Sequence, residues 1–523
     1  MARCGILSHQ TQALEGQVRQ TLFVFQMEKH TTFHTIIENP IDAARLFLTG
    51  EILKKILKST NEEGERVRQE KQNRANNGVI TYKPISKDEL ECYLGVLIKC
   101  GALSLNNLDI HLLWSVQHGP AFVRAAMGRD RFKEIHSLLR FDDKNTRQAR
   151  RQQSLLAPVL EISEDFEKLL RRYYTPGPFI AVDEQLVAFR GRCAFRMYMP
   201  KKPDRYGLKI FMAVDCKTLY PLAILPYLGQ QTSTLAGTNG LGFFAVTKTC
   251  ERFLNSGRNI TTDRWFTSLP LAEHLRSNKT TLVGTVNTNK RCLPKQFLDI
   301  KGRNVQSSVF LFQRNTTLVS YVPKPNKSVV LLSTQHHSKD VVVEASNKPE
   351  IIMFYNQTKG AVDSVDFMVK KYTCRRKTKR WPLVYFLNLV DLGLLAAYIL
   401  FMMKNPQQRN AAKRGDRKKF LISVGESLMK SHVRTRYETA VPSVKRTIRR
   451  SSLMEDSQEA SSGPSSGAAE DQEPQTVKKR RCGKCPRSMD RKFKTVCKVC
   501  KQCLCPAHTV VTCSNCFARR EDH

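Results

Sequence analysis

Acidic residues are scarce in this chain of 523 residues: 47 Asp and Glu stand against 85 Lys and Arg, which gives a formal net charge of +38. A chain with this charge attracts polyanions, and nucleic acid is the favoured partner because the basic residues are spread over the whole sequence. An acidic membrane surface or a ribosomal partner is the weaker alternative, since the sequence has no amphipathic basic anchor and no lipidation signal.

Long apolar runs are rare as well. The first residues, Met1 to Leu7, open no extended apolar region, so we expect no secretory signal. One segment, Trp381 to Met403, is apolar over a length that could span a membrane, but Asn388 and Asp391 interrupt it and Pro382 suits a first helical turn. We predict a buried core helix and no membrane partner; a membrane-spanning helix is the alternative.

The apolar content of 41% is enough for a sizeable core, and the length accommodates two to four domains. Residues 1–41 carry weak structural signals, whereas residues 42–176 are mostly helical in pattern. Within that domain Ser86 and Glu89 form a capping box for a helix that reaches Cys100. Further helices are predicted over residues 42–59, 120–139 and 163–174, with a loosely held charged stretch before residue 77.

The pattern changes to strands after Gly177. Three apolar runs separated by Gly, Pro and polar residues predict an antiparallel meander, and an alternation of helix and strand follows. This order is that of an RNase H-like fold of the mixed α+β or α/β class, in which the first and fourth strands are neighbours. We divide the core into a first part, an insertion of short strands and a last part with following helices: residues 177–286, 287–350 and 351–440.

Carboxylates occupy unusual positions in this core. Asp183 lies within a largely apolar strand, and because a buried unpaired charge is costly it needs a basic partner or a cation. Pairing with Arg190 or Arg192 is one explanation. The other is a metal site, since Asp263 ends the predicted fourth strand and could meet Asp183 there.

Two more acids open a predicted helix near residue 360. Asp363 and Asp366 are one turn apart, so we expect them on one face of that helix. A helix N-terminus attracts acidic residues through its dipole, which is the alternative explanation for this pair. Carboxylates from three separate places in one fold would make a site for a divalent metal.

A basic turn precedes the long apolar helix. Positive charge next to an aromatic ring is a typical means of holding phosphates and unstacked bases, so these residues are predicted to bind DNA. The alternative is a solvated basic turn in which the aromatic ring packs against the core. The residues are Arg375, Arg376, Lys377, Lys379, Arg380 and Trp381.

The end of the chain has a different composition. Residues 441–480 are basic and then rich in Ser, Gly, Glu and Ala, which is typical of a flexible linker. Eight of the 16 cysteines crowd into residues 482–516, a distribution that favours thiolate metal ligands in a reducing compartment over disulfides, the alternative. Four ligand pairs in residues 481–523 suffice for two tetrahedral Zn²⁺ ions, with Cys503 left over: Cys482 and Cys485, Cys497 and Cys500, Cys505 and His508, Cys513 and Cys516.

Several motifs together resemble the piggyBac transposase family, in the family's order from about residue 42 to the C-terminus. They are Asp183–Gln185, Phe189–Arg192, Lys209–Ile210, Pro226–Gly229, Asn259–Ser268, Val283–Val286, Tyr355–Gly360 and Arg376–Pro382. The resemblance implies that Asp183, Asp263 and Asp363 are the catalytic aspartates that bind two Mg²⁺ ions, and that Asp366 is a nearby acid of the same catalytic set. It implies a helical domain for dimerisation and DNA binding, and a cross-braced zinc finger at the C-terminus.

The resemblance also implies an activity: nicking at transposon ends, hairpin formation and insertion at TTAA targets, by a homodimer on double-stranded DNA in the nucleus. A host-adopted DNA-binding protein that no longer transposes is one rival function, and a zinc-dependent interaction module on an inert fold is another. By the same resemblance the zinc module binds transposon-end DNA, with phosphate contacts from Lys484, Arg487, Arg491, Lys492, Lys494 and Lys498.

Basic clusters flank the linker at Lys445–Arg450 and Lys478–Arg481, and we predict that they direct nuclear import; phosphate binding is the alternative. Residues 477–483 fused to a cytoplasmic reporter are expected to move it into the nucleus, as judged by fluorescence microscopy. A reporter that stays cytoplasmic would count against import.

Overall fold

The computed structural model describes a main unit and several short pieces of the C-terminal region. The chain divides into two units, residues 1–455 and 456–523, and each is considered by itself. The described residues are 36–74, 79–407, 415–451, 453, 480–481, 492–493 and 506–508.

The first half of the main unit is helical, as the sequence predicted. The capping box is present: the Ser86 hydroxyl accepts from the Glu89 N–H (3.1 Å), and the Glu89 carboxylate accepts from the Ser86 N–H (3.2 Å). The helices are α1 (Pro40–Arg45), α2 (Gly50–Gln72), α3 (Lys87–Ala102), α4 (Ile110–Leu113), α5 (Ala121–Ala126), α6 (Arg129–Leu138), α7 (Arg147–Gln153) and α8 (Leu160–Arg172).

Two predictions for this half were wrong. The charged stretch after residue 59 is the second half of α2, because its charges are spaced to pair along the helix, as in Arg66 with Glu63 and Arg68 with Glu65. The helix predicted over residues 120–139 is broken between α5 and α6, where Met127 has an extended backbone. Hydrophobic periodicity continues across that break, so it hid the interruption.

A nine-stranded sheet forms the second half. The order is β2-β3-β1-β5-β6-β9-β8-β7. Strand β4 also pairs with β3, along the edge of β3 that faces away from β1. Strand β1 is antiparallel to β3 and parallel to β5, and β5 is parallel to β6. The strands are β1 (Phe179–Ala188), β2 (Met197–Tyr198), β3 (Tyr206–Asp215), β4 (Pro221–Pro226), β5 (Asn259–Thr262), β6 (Thr281–Thr285), β7 (Ser308–Gln313), β8 (Thr316–Lys324) and β9 (Lys327–Ser333).

Helices connect and cover the strands. The predicted strand, helix, strand order after the meander is present, and β1 lies beside β5 as expected. The helices are α9 (Gln230–Leu235), α10 (Gly240–Cys250), α11 (Leu269–Ser277), α12 (Lys295–Leu298), α13 (Glu350–Thr358), α14 (Ala361–Lys371), α15 (Trp381–Lys404), α16 (Asp416–Thr439) and α17 (Pro442–Arg449).

The segment predicted as an insertion extends the same sheet. Its strands β7, β8 and β9 form an antiparallel meander, and β9 pairs with β6. A second, two-stranded sheet of β10 (Val341–Val342) and β11 (Lys348–Pro349) precedes α13. The inserted strands therefore add to the edge of the core sheet beyond β6.

The long apolar helix α15 lies inside the fold. Within the described residues it is the one helix long and apolar enough to cross a membrane, and 94% of its most hydrophobic window is buried. Phe386 packs on Phe141 with ring centroids 4.6 Å apart. Asp391 accepts hydrogen bonds from the Thr373 hydroxyl and the Cys374 N–H. The prediction of a core helix is confirmed.

Helix α17 occupies the start of the predicted linker. Its Ile448 is fully buried, and Arg449 donates to the Tyr437 hydroxyl at 2.8 Å. The linker boundary at residue 441 was therefore placed too early, because a short basic helix with few apolar residues has the composition of a linker. In the second unit, β12 (Arg480–Arg481) pairs with β13 (Lys492–Phe493), and residues 506–508 form one helical turn.

Helices α3 and α16 approach each other closely at two glycines. A Cβ at Gly95 would lie 2.6 Å from the Gly425 carbonyl oxygen, and a Cβ at Gly425 would lie 2.9 Å from the Gly95 carbonyl oxygen. No side chain fits at this crossing unless the helices move apart.

Gly95→Ala is expected to lower the free energy of unfolding by about 1–3 kcal/mol, because the methyl group must push one helix backbone away from the other. Gly50→Ala is the control, since a Cβ there has nothing within 4 Å, and it should change stability by no more than about 1 kcal/mol. Denaturant unfolding measures both. Equal effects would contradict the close crossing.

Candidate functional site

Parallel pairing of β1 and β5 brings two of the predicted acids together. Val182 on β1 is opposite Thr262 on β5. Asp183 and Asp263 each follow that pair by one residue, so they lie side by side. The proximity depends on the fold alone, since the two residues are 80 positions apart in the sequence.

The surroundings of this pair disfavour negative charge. Burial, followed by the charge of Glu184 and then that of Asp263, raises the pKa of Asp183 well above its ordinary value. Burial also raises the pKa of Asp263, although the Trp265 N–H donates to its Oδ1 at 2.8 Å. Repelling carboxylates in a poorly solvated position require a cation to be ionised together.

Lys202 supplies one such positive charge. Its Nζ lies 3.4 Å from Asp363 Oδ1 and 3.9 Å from Glu184 Oε1, and it donates to the Glu184 carbonyl at 3.2 Å. Burial opposes the charge on Lys202, but the carboxylates of Asp363, Asp183 and Glu184 raise its pKa overall. The lysine thus bridges the strand and α14, the helix that carries Asp363.

The two acids of α14 have different surroundings, although we predicted them on one face. The side chain of Asp363 is 67% exposed, whereas that of Asp366 is 12% exposed. Asp366 accepts from Gln185 Nε2 at 3.0 Å and pairs with Lys370 at 2.9 Å. Asp366 therefore links α14 to β1 inside the protein.

The three acids do not form a closed metal cluster. Over residues 36–74, 79–407 and 415–451, no group of three or more His, Cys, Asp or Glu residues is arranged to hold a metal ion. The structure brings Asp183 and Asp263 together and keeps Asp363 in an ion pair with Lys202. The chemistry of the donors still fits a hard cation, because all are carboxylate oxygens and two have raised pKa values.

The basic turn before α15 divides into internal and external residues. Arg376 donates to the carbonyls of Leu105 and Leu108, and Arg380 donates to those of His136, Ser137 and Leu139. Burial lowers the pKa of Arg380 to about 10, so it remains charged at neutral pH. These two arginines satisfy carbonyls near the ends of α3 and α6, a structural role that their sequence did not reveal.

Trp381 takes the packed position that the sequence left as an alternative, with its ring edge-on to Phe195 at 4.9 Å. Arg375 donates to the Thr373 hydroxyl. Lys377 and Lys379 are exposed and are the members of the predicted DNA-binding turn that face solvent.

The predicted zinc module lies almost wholly outside the described residues. Of its ligands and basic residues, only the backbones of His508 and Lys492 are described. The predicted ligands and basic residues that lie outside the described residues are Cys482, Cys485, Cys497, Cys500, Cys505, Cys513, Cys516, Lys484, Arg487, Arg491, Lys494 and Lys498.

Comparison with known proteins identifies the family. A family model described as Transposase IS4 matches residues 39–398, more than half of the chain. The chain belongs to this family. The match includes Asp183, Asp263, Asp363 and Asp366 and ends within α15.

Relatives place the chain with the piggyBac type of this transposase family. It is 25% identical over 377 residues to the human PiggyBac transposable element-derived protein 3, covering 68% of this chain and 61% of that protein. It is 24% identical over 335 residues to the human PiggyBac transposable element-derived protein 2, covering 60% and 55%. The chain thus spans about three-fifths of the length of these curated relatives.

A solved structure supports the same placement. A cryo-EM structure of a piggyBac transposase synaptic complex with hairpin DNA is 35% identical, with a TM-score of 0.75, and the match covers 94% of this chain and 100% of that one. The resemblance drawn from the sequence motifs is confirmed. The acids of the site lie within the part of the chain that matches this transposase family.

Two lysines of the site had no predicted role, although Lys209 lies in one of the family motifs. Lys202 lies in the loop before β3, and nothing in its local sequence marks it. Lys209 is a charged residue within the buried strand β3, which was a usable signal. Its Nζ lies 4.2 Å from the centre of the Trp265 ring, and burial lowers its pKa despite the nearby carboxylates.

The raised pKa of Asp183 predicts a pH-dependent stability. The folded state holds the proton more tightly than the unfolded state, so stability falls as pH rises from about 4 through the raised pKa. Asp183→Asn removes this loss. In buffer without Mg²⁺ or Mn²⁺, the melting temperature of the variant relative to the unaltered chain should increase between pH 5 and pH 8.

Asp363→Asn is the matched control, because Asp363 is mostly exposed and paired with Lys202. Its melting temperature relative to the unaltered chain should not increase with pH. If both variants show the same pH dependence, burial and the neighbouring charges do not raise the pKa of Asp183 as described.

Proposed function

We propose that the protein is a piggyBac-type DNA transposase that uses two divalent metal ions to cut transposon ends and join them at TTAA targets. The observation that carries the proposal is the side-by-side position of Asp183 and Asp263 in surroundings that require a cation. Family membership and the likeness to a transposase structure support it.

The strand order supports an RNase H-like catalytic core. An antiparallel meander of β1, β3 and β4 is followed by β5 and β6, which run parallel to β1. In this arrangement the first strand carries one acid in its middle and the fourth strand ends at another. Asp363 would complete the set from α14, the helix linked to β1 through Asp366 and Gln185.

The metal ligands would be Asp183, Asp263 and Asp363. The chemistry that two Mg²⁺ ions supply is activation of the attacking water or 3′-hydroxyl and stabilisation of the leaving oxygen in an in-line displacement. Asp183 and Asp263 would hold the cations in the partly buried centre. With Asp363 serving as a ligand, the ammonium group of Lys202, its present ion-pair partner, would be available to a DNA phosphate.

The proposed partners are inferred from the net charge of the chain and from its family. The excess of basic residues suits double-stranded DNA, and the related structure's title describes a synaptic complex with hairpin DNA. We infer that the protein acts as a homodimer in the nucleus and that Lys377 and Lys379 contact DNA. The C-terminal Cys and His pairs would hold two Zn²⁺ ions and bind transposon ends.

A second function is favoured by the ion pair between Asp363 and Lys202 and by the absence of a three-acid cluster within the described residues. A protein whose third acid stayed paired with lysine would bind DNA without cutting it. Such a protein would be a domesticated DNA-binding protein without transposition activity. The two functions differ in whether DNA is cleaved.

An excision assay separates the two. Duplexes selected from a random pool by the purified chain would be placed as inverted repeats beside TTAA in a reporter plasmid. With the unaltered chain we expect excision. Asp183→Asn or Asp263→Asn should lower its rate at least about 100-fold, since loss of a metal ligand removes several kcal/mol of transition-state stabilisation.

Glu273→Gln is the control, because Glu273 is an exposed carboxylate on α11, and it should excise normally. DNA binding should survive in all three variants. Binding without excision by the unaltered chain would support the DNA-binding protein. Equal excision by Asp183→Asn and the unaltered chain would remove the metal mechanism.

A further inference from the structure

Asn388 is a buried polar residue of the apolar helix α15, and the proposed metal ligands do not include it. It interrupts the apolar helix, and its side chain is fully buried. Its Nδ2 donates to Gln185 Oε1 on β1 at 2.9 Å, and Gln185 Nε2 donates to Asp366 Oδ1 on α14 at 3.0 Å. Two buried amides thus connect the core helix to an acid of the helix that carries Asp363.

This chain of hydrogen bonds has a direction. An ionised carboxylate accepts hydrogen bonds and cannot donate them, so Asp366 requires the amide nitrogen of Gln185. The oxygen of Gln185 then requires the amide nitrogen of Asn388. The orientation leaves Asn388 Oδ1 buried with no partner among the described residues, which is costly. Reversing both amides would place the Gln185 amide oxygen against the Asp366 carboxylate, which cannot donate to it. The buried Asn388 Oδ1 without a partner is therefore the consequence of keeping an N–H donor at Asp366.

The network continues from Asp366 to the loop before β3. Lys370 lies 2.9 Å from Asp366 and 3.2 Å from Asp204. The same loop carries Lys202, which contacts Asp363. The position of α14 is therefore set from two sides, by the buried amides and by this loop.

The geometry on β1 links the network to the metal site. Asp183 and Gln185 are two residues apart on one strand, so their side chains project from the same face of the sheet. On α14, Asp363 precedes Asp366 by one turn. A shift of Asp366 relative to Gln185 would thus carry Asp363 away from, or toward, Asp183.

We propose that Asn388 and Gln185 are positioning residues that hold α14 so that Asp363 can share a divalent metal with Asp183. Neither side chain contacts DNA or metal in this role, which acts through Asp366. The inference rests on the proposed metal-dependent function, because it assigns these residues to that site.

Asn388→Leu tests the role, and Tyr385→Phe is its matched control. Tyr385 is one turn earlier on the same helix and shares a buried hydrogen bond of 2.8 Å with Ser163. Both variants lose one buried hydrogen bond of α15, but only the first loses a link to the acids. A purely structural role would give both the same properties.

Mn²⁺ is the probe, added to the full chain, and two quantities are measured against its concentration. One is the rise in melting temperature, from which the rise measured with Asp183→Asn is subtracted to remove the effect of Mn²⁺ bound elsewhere. The other is the rate of cleavage of the excision substrate. For Asn388→Leu the half-maximal Mn²⁺ concentration should rise about 10-fold in both measurements, as for other residues that support metal ligands. For Tyr385→Phe it should stay within about twofold of the unaltered chain.

A double variant tests whether the amides act as one unit. If Asn388 acts only through Gln185, Asn388→Leu combined with Gln185→Met should need no more Mn²⁺ than Gln185→Met alone. Additive effects would overturn the linked arrangement. If Asn388→Leu does not fold, as judged by melting without metal, Asn388→Ser replaces it in the same comparison.

The outcomes separate the two proposals. If the unaltered chain shows neither a Mn²⁺-dependent melting shift nor cleavage, the metal-dependent function is wrong and the positioning role with it. If the unaltered chain shows both and Asn388→Leu matches Tyr385→Phe, only the positioning role is wrong.

Discussion

The burial of Asp183 and Asp263, side by side and next to the charge of Glu184, is the constraint on which the site depends. The parallel pairing of β1 with β5 holds the two carboxylates side by side, and burial prevents water from separating their charges. Such an arrangement is stable only with protons or cations present. The neighbouring lysines, Lys202 and Lys209, supply positive charge within the protein, and divalent metal is the further cation in the proposed function.

The basic residues serve two different purposes. A net charge of +38 suggests that a large basic surface is available to DNA. Several arginines, however, lie inside the fold and donate hydrogen bonds to backbone carbonyls near helix ends. Arg376 and Arg380 do this near α3 and α6, and Arg436 donates to the carbonyls of Arg124 and Ala125 at the end of α5. Such arginines stabilise the helical half, because they satisfy carbonyls that a helix end leaves without partners. Charge counts therefore overstate the surface that is free for DNA.

Polar residues within apolar segments proved more informative than charge. Asp183 in β1, Lys209 in β3 and Asn388 in α15 each interrupt a buried run, and each has a specific partner or an electrostatic neighbour at the acid site. Burying such groups costs free energy unless they are paired. Their presence in a core segment therefore points to a requirement other than packing.

The amino-acid sequence by itself determined the helical and sheet halves, the capping box at Ser86, the burial of α15 and the family, because local periodicity and motif order are properties of short stretches. It also predicted that β1 and β5 are neighbours, through the order of elements. Only the tertiary structure decided that Asp366 faces the core while Asp363 pairs with Lys202, and that Arg376 and Arg380 contact carbonyls. Those outcomes depend on which elements pack together, and residues such as Gln185, Asp366 and Asn388 are too far apart in the chain for any local pattern to connect them.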